Sequence, residues 1–187
     1  THDEITPKNS YPEGDKNSFD ALLGLTQVFS PTTLWTINAT LGYVEGLLTD
    51  PYKQVILNNS DVFENRPDDR TKYIIFMSLN QHVKPLNGSV ELGLRYYHDT
   101  YGIDSGTATL TWLQKIGDIF VISPMLRYAR QTAADFYDIS FTGSPEFYSS
   151  DYRLSEFGAF SAGLKLDWNI TNRFSINLAY ERYEQQS

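Results

Sequence analysis

The chain has 187 residues, no cysteine, three histidines and a formal net charge of −8. That acidic balance argues against nucleic acid as a partner, and the lack of cysteine excludes disulfides and thiol chemistry. No run approaches the ~20 apolar residues that a membrane-crossing helix needs, but aromatic residues make up 14% of the chain, a load suited to the interfacial girdles of a transmembrane β-barrel.

Residues i and i+2 of a strand share a face, and read by that parity the chain alternates apolar and polar residues about eight times. From Phe19 to Phe29, Phe19, Ala21, Leu23 and Leu25 oppose Asp20, Gly24 and Thr26, and a turn at Ser30, Pro31 and Thr32 follows. Trp35, Ile37, Ala39, Leu41 and Tyr43 then oppose Thr36, Asn38, Thr40 and Gly42. The third strand, about Thr71 to Val83, gathers Tyr73, Ile75, Met77 and Leu79, although Ile74 and Phe76 join Ser78 and Asn80 on its other face. After a turn at Lys84 to Ser89, Val90, Leu92, Leu94 and Tyr96 oppose Glu91, Gly93, Arg95, Tyr97 and Asp99.

The fifth strand, about Gly106 to Lys115, sets Ala108, Leu110 and Trp112 against Thr107, Thr109, Thr111 and Lys115. A tight turn at Ile116 to Asp118 leads to the sixth, where Phe120, Ile122, Pro124, Leu126 and Tyr128 oppose Val121, Ser123, Met125, Arg127, Ala129 and Gln131. Pro124 lacks a ladder donor and is expected to mark a bulge. Phe160, Ala162, Leu164, Leu166 and Trp168 oppose Ser161, Gly163, Lys165 and Asp167, and after a turn at 169–172 the eighth strand sets Phe174, Ile176, Leu178 and Tyr180 against Ser175, Asn177, Ala179, Glu181 and Tyr183. Apolar faces that begin or end in an aromatic residue are what a lipid-facing band between two girdles requires.

A soluble β-sandwich or lipocalin-like barrel also alternates, but its wet face takes Lys and Glu freely, whereas these strands carry mainly Thr, Ser, Asn and Gly with isolated charges. The expected class is therefore all-β: an antiparallel transmembrane outer-membrane β-barrel of about eight strands, forming one domain over residues 1–187 and sited in the outer membrane of a Gram-negative-type bacterium. Its surroundings would be outer-membrane lipid and lipopolysaccharide, with other envelope proteins as candidate partners and no cofactor. Short turns belong to the periplasmic side and long loops to the outside. Connections near 46–70 and 132–154 are long, so they are read as extracellular loops, and 1–16 as an extracellular loop remnant. Both chain ends then fall on one side, the pattern of an internal fragment of a larger barrel.

Five ordered blocks carry a resemblance: Phe63 to Arg70, Arg95 to Ile103, Arg127 to Tyr137, Asp151 to Ala159 and Ala179 to Gln185. Together they resemble an uncharacterised bacterial outer-membrane barrel family catalogued as domain of unknown function 3570. The resemblance implies the barrel fold and a longer protein with further strands, and it implies no activity.

The polar parity nominates Glu91, Arg95, Asp99, Arg127, Lys165, Asp167 and Glu181 as lumen-lining residues. With Arg130, Asp135 and Tyr137, several of them could form a charge ladder, which in a pore would select solutes by charge and in a filled barrel would hold strands in register. In the loop motif Glu64, Asn65, Arg66, Asp68, Asp69 and Arg70, the arginines would satisfy Asp68, Asp69 or a neighbouring strand, or the loop would fold inward as a constriction or bind a cation. Catalysis has less support, because His2, His82 and His98 have no matched nucleophile and no metal-ligand spacing emerges. The expected function is a channel or transport component. A plugged barrel serving as a scaffold or docking subunit of an envelope complex is the alternative, and a lipid-acting enzyme using His98 is third.

Overall fold

The computed structural model describes residues 14–50, 52–171 and 173–186. Of the expected loop segment 1–16, residues 1–13 lie outside the described residues, and Lys16 already belongs to the first strand. In chain order the strands are β1 (Lys16–Ser30), β2 (Thr33–Gly46), β3 (Gln54–Leu57), β4 (Ser60–Phe63), β5 (Asp69–Val83), β6 (Gly88–Asp99), β7 (Asp104–Ile116), β8 (Phe120–Gln131), β9 (Ser140–Phe141), β10 (Phe157–Thr171) and β11 (Phe174–Gln186). Among the described residues there is no α-helix, only 3-10 turns at Lys84–Leu86 and Tyr152–Leu154.

Eight of these strands make one sheet in the hydrogen-bonded order β1-β2-β5-β6-β7-β8-β10-β11, so every neighbour in the sheet is also the next long strand in the chain. All seven pairings are antiparallel. The long strands run 12 to 15 residues, more than twice the usual length of about 5–6. The sheet is open: β1 and β11 are its two edges and do not pair with each other.

The registers carry the sequence parity from strand to strand without a slip of face. Leu41 stands opposite Ala21 and Tyr73, Leu94 opposite Met77 and Ala108, and Leu126 opposite Leu110 and Ala162. Leu164 stands opposite Pro124 and Tyr180. One face therefore gathers the apolar set of all eight strands, and the other gathers the threonines, serines, asparagines and isolated charges.

Among the described residues, no strand, helix or loop covers the apolar face. Leu94 keeps 41% of its surface, Leu126 49% and Leu178 68%. The buried hydrophobic residues of the long strands, Val44 and Ala159, belong by parity to the polar face.

The bulge expected at Pro124 is absent. Proline opens the β7–β8 ladder locally, yet Thr111 pairs with Met125 and Gln114 with Ile122 in one unbroken register, so no extra residue is inserted. Register shifts fall instead at Val28/Ser30 and Asn169/Thr171, each beside a short turn, where the strand must tighten into its hairpin.

Short connections join the strands at one end of the sheet, and the long ones gather at the other. There they build a second sheet of order β4-β3-β9. β3 and β4 form a hairpin whose tip residues, Asn58 (φ 50°) and Asn59 (φ 63°), are both left-handed, the requirement of a type I′ turn that asparagine tolerates. β9 pairs in parallel with β3, so the β2–β5 and β8–β10 connections are sewn together. Tyr101, Ile103, Ala134 and Leu154 form a buried core beneath them, with Leu48, Tyr97, Phe136 and Tyr137 packed against it. We call this unit the loop cap.

Candidate functional site

All seven residues nominated for the polar face share it, at different heights. Arg95 stands opposite Phe76 and Thr107, and Arg127 opposite Thr109 and Ser161. Glu91 lies between Asn80 and Thr111, and Glu181 opposite Gly163. Near the short-turn end, Lys165 Nζ lies 2.8 Å from Asp167 Oδ1, and Asn177 donates to the same carboxylate. The broader charge ladder does not form. Arg130 is carried by the register to the apolar face, opposite Gly106 and Gly158, because it has the parity of Tyr128. Asp135 and Tyr137 belong to the loop cap, where the Tyr137 amide donates to the Ala134 carbonyl.

At the cap end, the loop motif pairs inward, but not with its own aspartates. Arg66 Nη2 donates to Glu64 Oε2 at 2.9 Å and to Asp151 Oδ2 at 2.7 Å, while Arg66 Nε lies 2.8 Å from Glu64 Oε1 with its N–H directed elsewhere. Ser149 Oγ donates to Glu64 Oε2 at 2.6 Å, and the Asp50 amide donates to Glu64 Oε1 at 2.6 Å. Arg153 Nε donates to Asp151 Oδ2 at 2.8 Å, and its Nη2 reaches Asp50 Oδ2 at 3.0 Å. Asn65 joins the other connection by backbone and side chain, its Nδ2 donating to the Glu146 carbonyl at 2.7 Å. Asp68 and Asp69 stay exposed.

Arg70 does bind a neighbouring strand. Its Nε donates to Asp99 Oδ2 at 2.8 Å, its Nη2 donates to Tyr97 Oη at 3.0 Å, and its guanidinium lies 4.5 Å over the Tyr101 ring. The other Asp99 oxygen accepts the amides of Tyr101 (2.9 Å) and Ile103 (3.2 Å), fixing the β6–β7 turn. Asp99 is thus a structural anchor more than a lining group.

Burial alone would raise the Asp151 pKa, but hydrogen bonds from the Arg153 side chain and backbone and from Arg66 outweigh it and hold the carboxyl well below the usual range. The same contacts hold Arg153 above its ordinary value, the Asp151 hydrogen bond first among them. Burial pushes the Tyr101 hydroxyl up to about 12 against the opposing charges of Arg70 and Arg66. Its hydroxyl donates to the Pro67 carbonyl at 3.0 Å.

Where the cap meets the polar face there are two neighbouring cavities. The outer one, about 330 Å³, is lined by Arg66, Arg70, Arg95, Arg153 and Asp151 among others. The inner one, about 440 Å³, is lined by Phe76, Glu91, Gly93, Arg95, Thr107, Thr109, Arg127 and Ala129. Arg95 belongs to both. Sequence reading missed Thr107 and Thr109 as lining partners, and missed Asp50, Ser149, Asp151 and Arg153 in the cap. For the threonines the signal was available in strand parity.

His98 is on the apolar face, stacked on Tyr73 with ring centroids 6.2 Å apart, its Nδ1 3.0 Å from Asp104 Oδ1. Among the described residues no serine or threonine hydroxyl bonds to its ring. His82 bonds Ser89 Oγ at 3.2 Å near the short turns.

The sequence model of the family described as protein of unknown function DUF3570 matches residues 2–187. No curated protein and no solved structure matches the chain.

Proposed function

The chain belongs to that DUF3570 family, and from this premise we propose that it forms part of an outer-membrane β-barrel whose polar face lines a solute channel. One observation carries the reading: an apolar face eight strands wide on which nothing among the described residues packs, backed by a face of hydroxyls, amides and charges. Soluble proteins rarely expose a contiguous apolar patch beyond a few hundred Å², and such a face is stable against lipid tails. Strands of 12 to 15 residues exceed the ~9–11 that a tilted membrane strand needs. Unpaired edges do not persist in a hydrocarbon environment, so β1 and β11 pair with further strands, and the sheet closes with the threonine-rich face inward.

In this arrangement the loop cap lies on the extracellular side, within the reach of lipopolysaccharide and outer-leaflet lipid. The cap's own core and its position over the polar face favour a second reading, a barrel closed by its loops that serves as a scaffold for envelope proteins. Conductance separates the two. The full-length protein, shown to be folded by its heat-modifiable mobility, is expected to give discrete conductance steps in planar bilayers. A folded preparation that never rises above background would sink the channel reading and leave the scaffold.

A further inference from the structure

We propose that the polar face carries a binding site for small oxyanions, the carboxylate, sulfate or phosphate groups of passing solutes, centred on Arg95 and Arg127. The site rests on the reading that this face is the barrel interior.

Three observations converge. First, the central arginines lack carboxylate partners. Among the described residues no acidic group lies within ion-pair distance of Arg95 or Arg127. Arg127 donates weakly to Thr109 Oγ1 at 3.3 Å and to Met125 Sδ at 3.8 Å, and Arg95 rests 5.6 Å over the Tyr97 ring. Each guanidinium has five N–H donors in a planar fork that matches an oxyanion, and both arginines line the inner cavity.

Second, the neighbouring ion pairs are turned so that their cations line the way in. In the pairs Arg66–Asp151, Arg70–Asp99 and Arg153–Asp151 every carboxylate side chain is 0% exposed, while the arginines keep 10%, 22% and 55%. Four guanidinium groups, Arg66, Arg70, Arg95 and Arg153, therefore line the outer cavity against one carboxylate residue, Asp151.

Third, the inner cavity holds two hydroxyls, Thr107 and Thr109, in the rows of Arg95 and Arg127, and a single carboxylate, Glu91, one row deeper than Arg127. Charge-assisted donors around a cavity of about 440 Å³ suit a small anion. Glu91 opposes it and sets how readily the anion leaves, since conduction needs binding that is favourable but escapable.

Equilibrium dialysis of radiolabelled sulfate against the full-length protein folded in detergent tests the site directly. Saturable binding is expected, poorly displaced by equimolar chloride, at least tenfold weaker in the R95Q/R127Q protein and tighter in E91Q. In bilayers under a salt gradient, the reversal potential should report anion preference, moved towards zero by R95Q/R127Q and away from it by E91Q. Sulfate binding without conductance would remove the pore and keep the site. No saturable binding by the wild type, or binding unchanged in R95Q/R127Q, overturns the site even if current flows. Should the double variant fail to fold, E91Q decides, because tighter binding cannot arise from damage, and its absence refutes the proposal.

Discussion

Asp151 is fully buried between Arg66 and Arg153. Removing one partner of a buried ion pair leaves the other charge uncompensated and costs about 3–5 kcal/mol. Arg66 keeps Glu64 and the half-exposed Arg153 keeps Asp50, so Asp151→Asn is expected to loosen the loop cap by less, about 1.5–3 kcal/mol, while leaving the main sheet intact, read as faster amide exchange confined to residues 46–69 and 132–156. Gly102 sits at φ +79°, and a Cβ there would meet the Asp135 carboxylate at 2.3 Å. The carboxylate can swing away but the backbone cannot, so Gly102→Ala should cost the cap about 1–3 kcal/mol. Ionisation sets the limits of the cap. Asp151 has a depressed pKa in the folded state, so its contribution is complete above the ordinary carboxylate value of about 4 and is lost as pH falls below it. Tyr101 is the opposite case: raised to about 12, it favours the folded cap until the free phenol would ionise near pH 10, and its contribution declines above that. Limited proteolysis of the 132–156 connection should be flat from pH 5 to 9 and accelerate below about pH 4; a transition near pH 6–7 would contradict this assignment.

Among the elements, parity made the eight long strands legible. Their period of two needs no distant partner to be read, and the structure extends each expected span by only a few residues, as at Thr33–Gly46 around the Trp35 to Tyr43 alternation. Even the mixed third strand resolves simply, since Phe76 on the polar face walls the inner cavity beside Glu91 and Arg95. The cap was not legible in the same way. Arg66 finds Asp151, and Glu64 finds Ser149, across 85 residues of sequence, and no local pattern says which acid meets which base. The β3–β4 hairpin did leave a signal in Asn58-Asn59, a pair suited to a type I′ turn, set between the short runs Gln54–Leu57 and Ser60–Phe63. Arg130 shows the cost of grouping charges by proximity instead of parity. A charge placed on each face checks the assignment: Leu110→Lys should impair folding into bilayers by about 2–4 kcal/mol, whereas Thr111→Lys, one residue on, should fold. At the sheet edges, amides of β1 and β11 should exchange as slowly as those of β6 and β7 in the full-length protein; rapid exchange of every second amide would mean that those edges stay free.

At the scale of the whole molecule, the buried hydrophobic residues other than Val44 and Ala159 sit in the cap and the broad apolar surface on the sheet, an inversion of the ordinary soluble arrangement. Two cooperative units are expected as a result, a small cap held by a few side-chain pairs and a large sheet held by backbone ladders and its surroundings. Arg66→Ala should release the first without the second, raising mean conductance or its flicker while the protein stays heat-modifiable. The parallel β3–β9 pairing has a consequence for assembly. Each long strand pairs with the long strand made just before it, so the main sheet can grow in the order of synthesis by local closure alone. Ile56 and Leu57, by contrast, must wait for Ser140 and Phe141, by which point β1, β2 and β5 to β8 have all been made. The cap is thus fastened late, onto a sheet in which six of the eight long strands already stand.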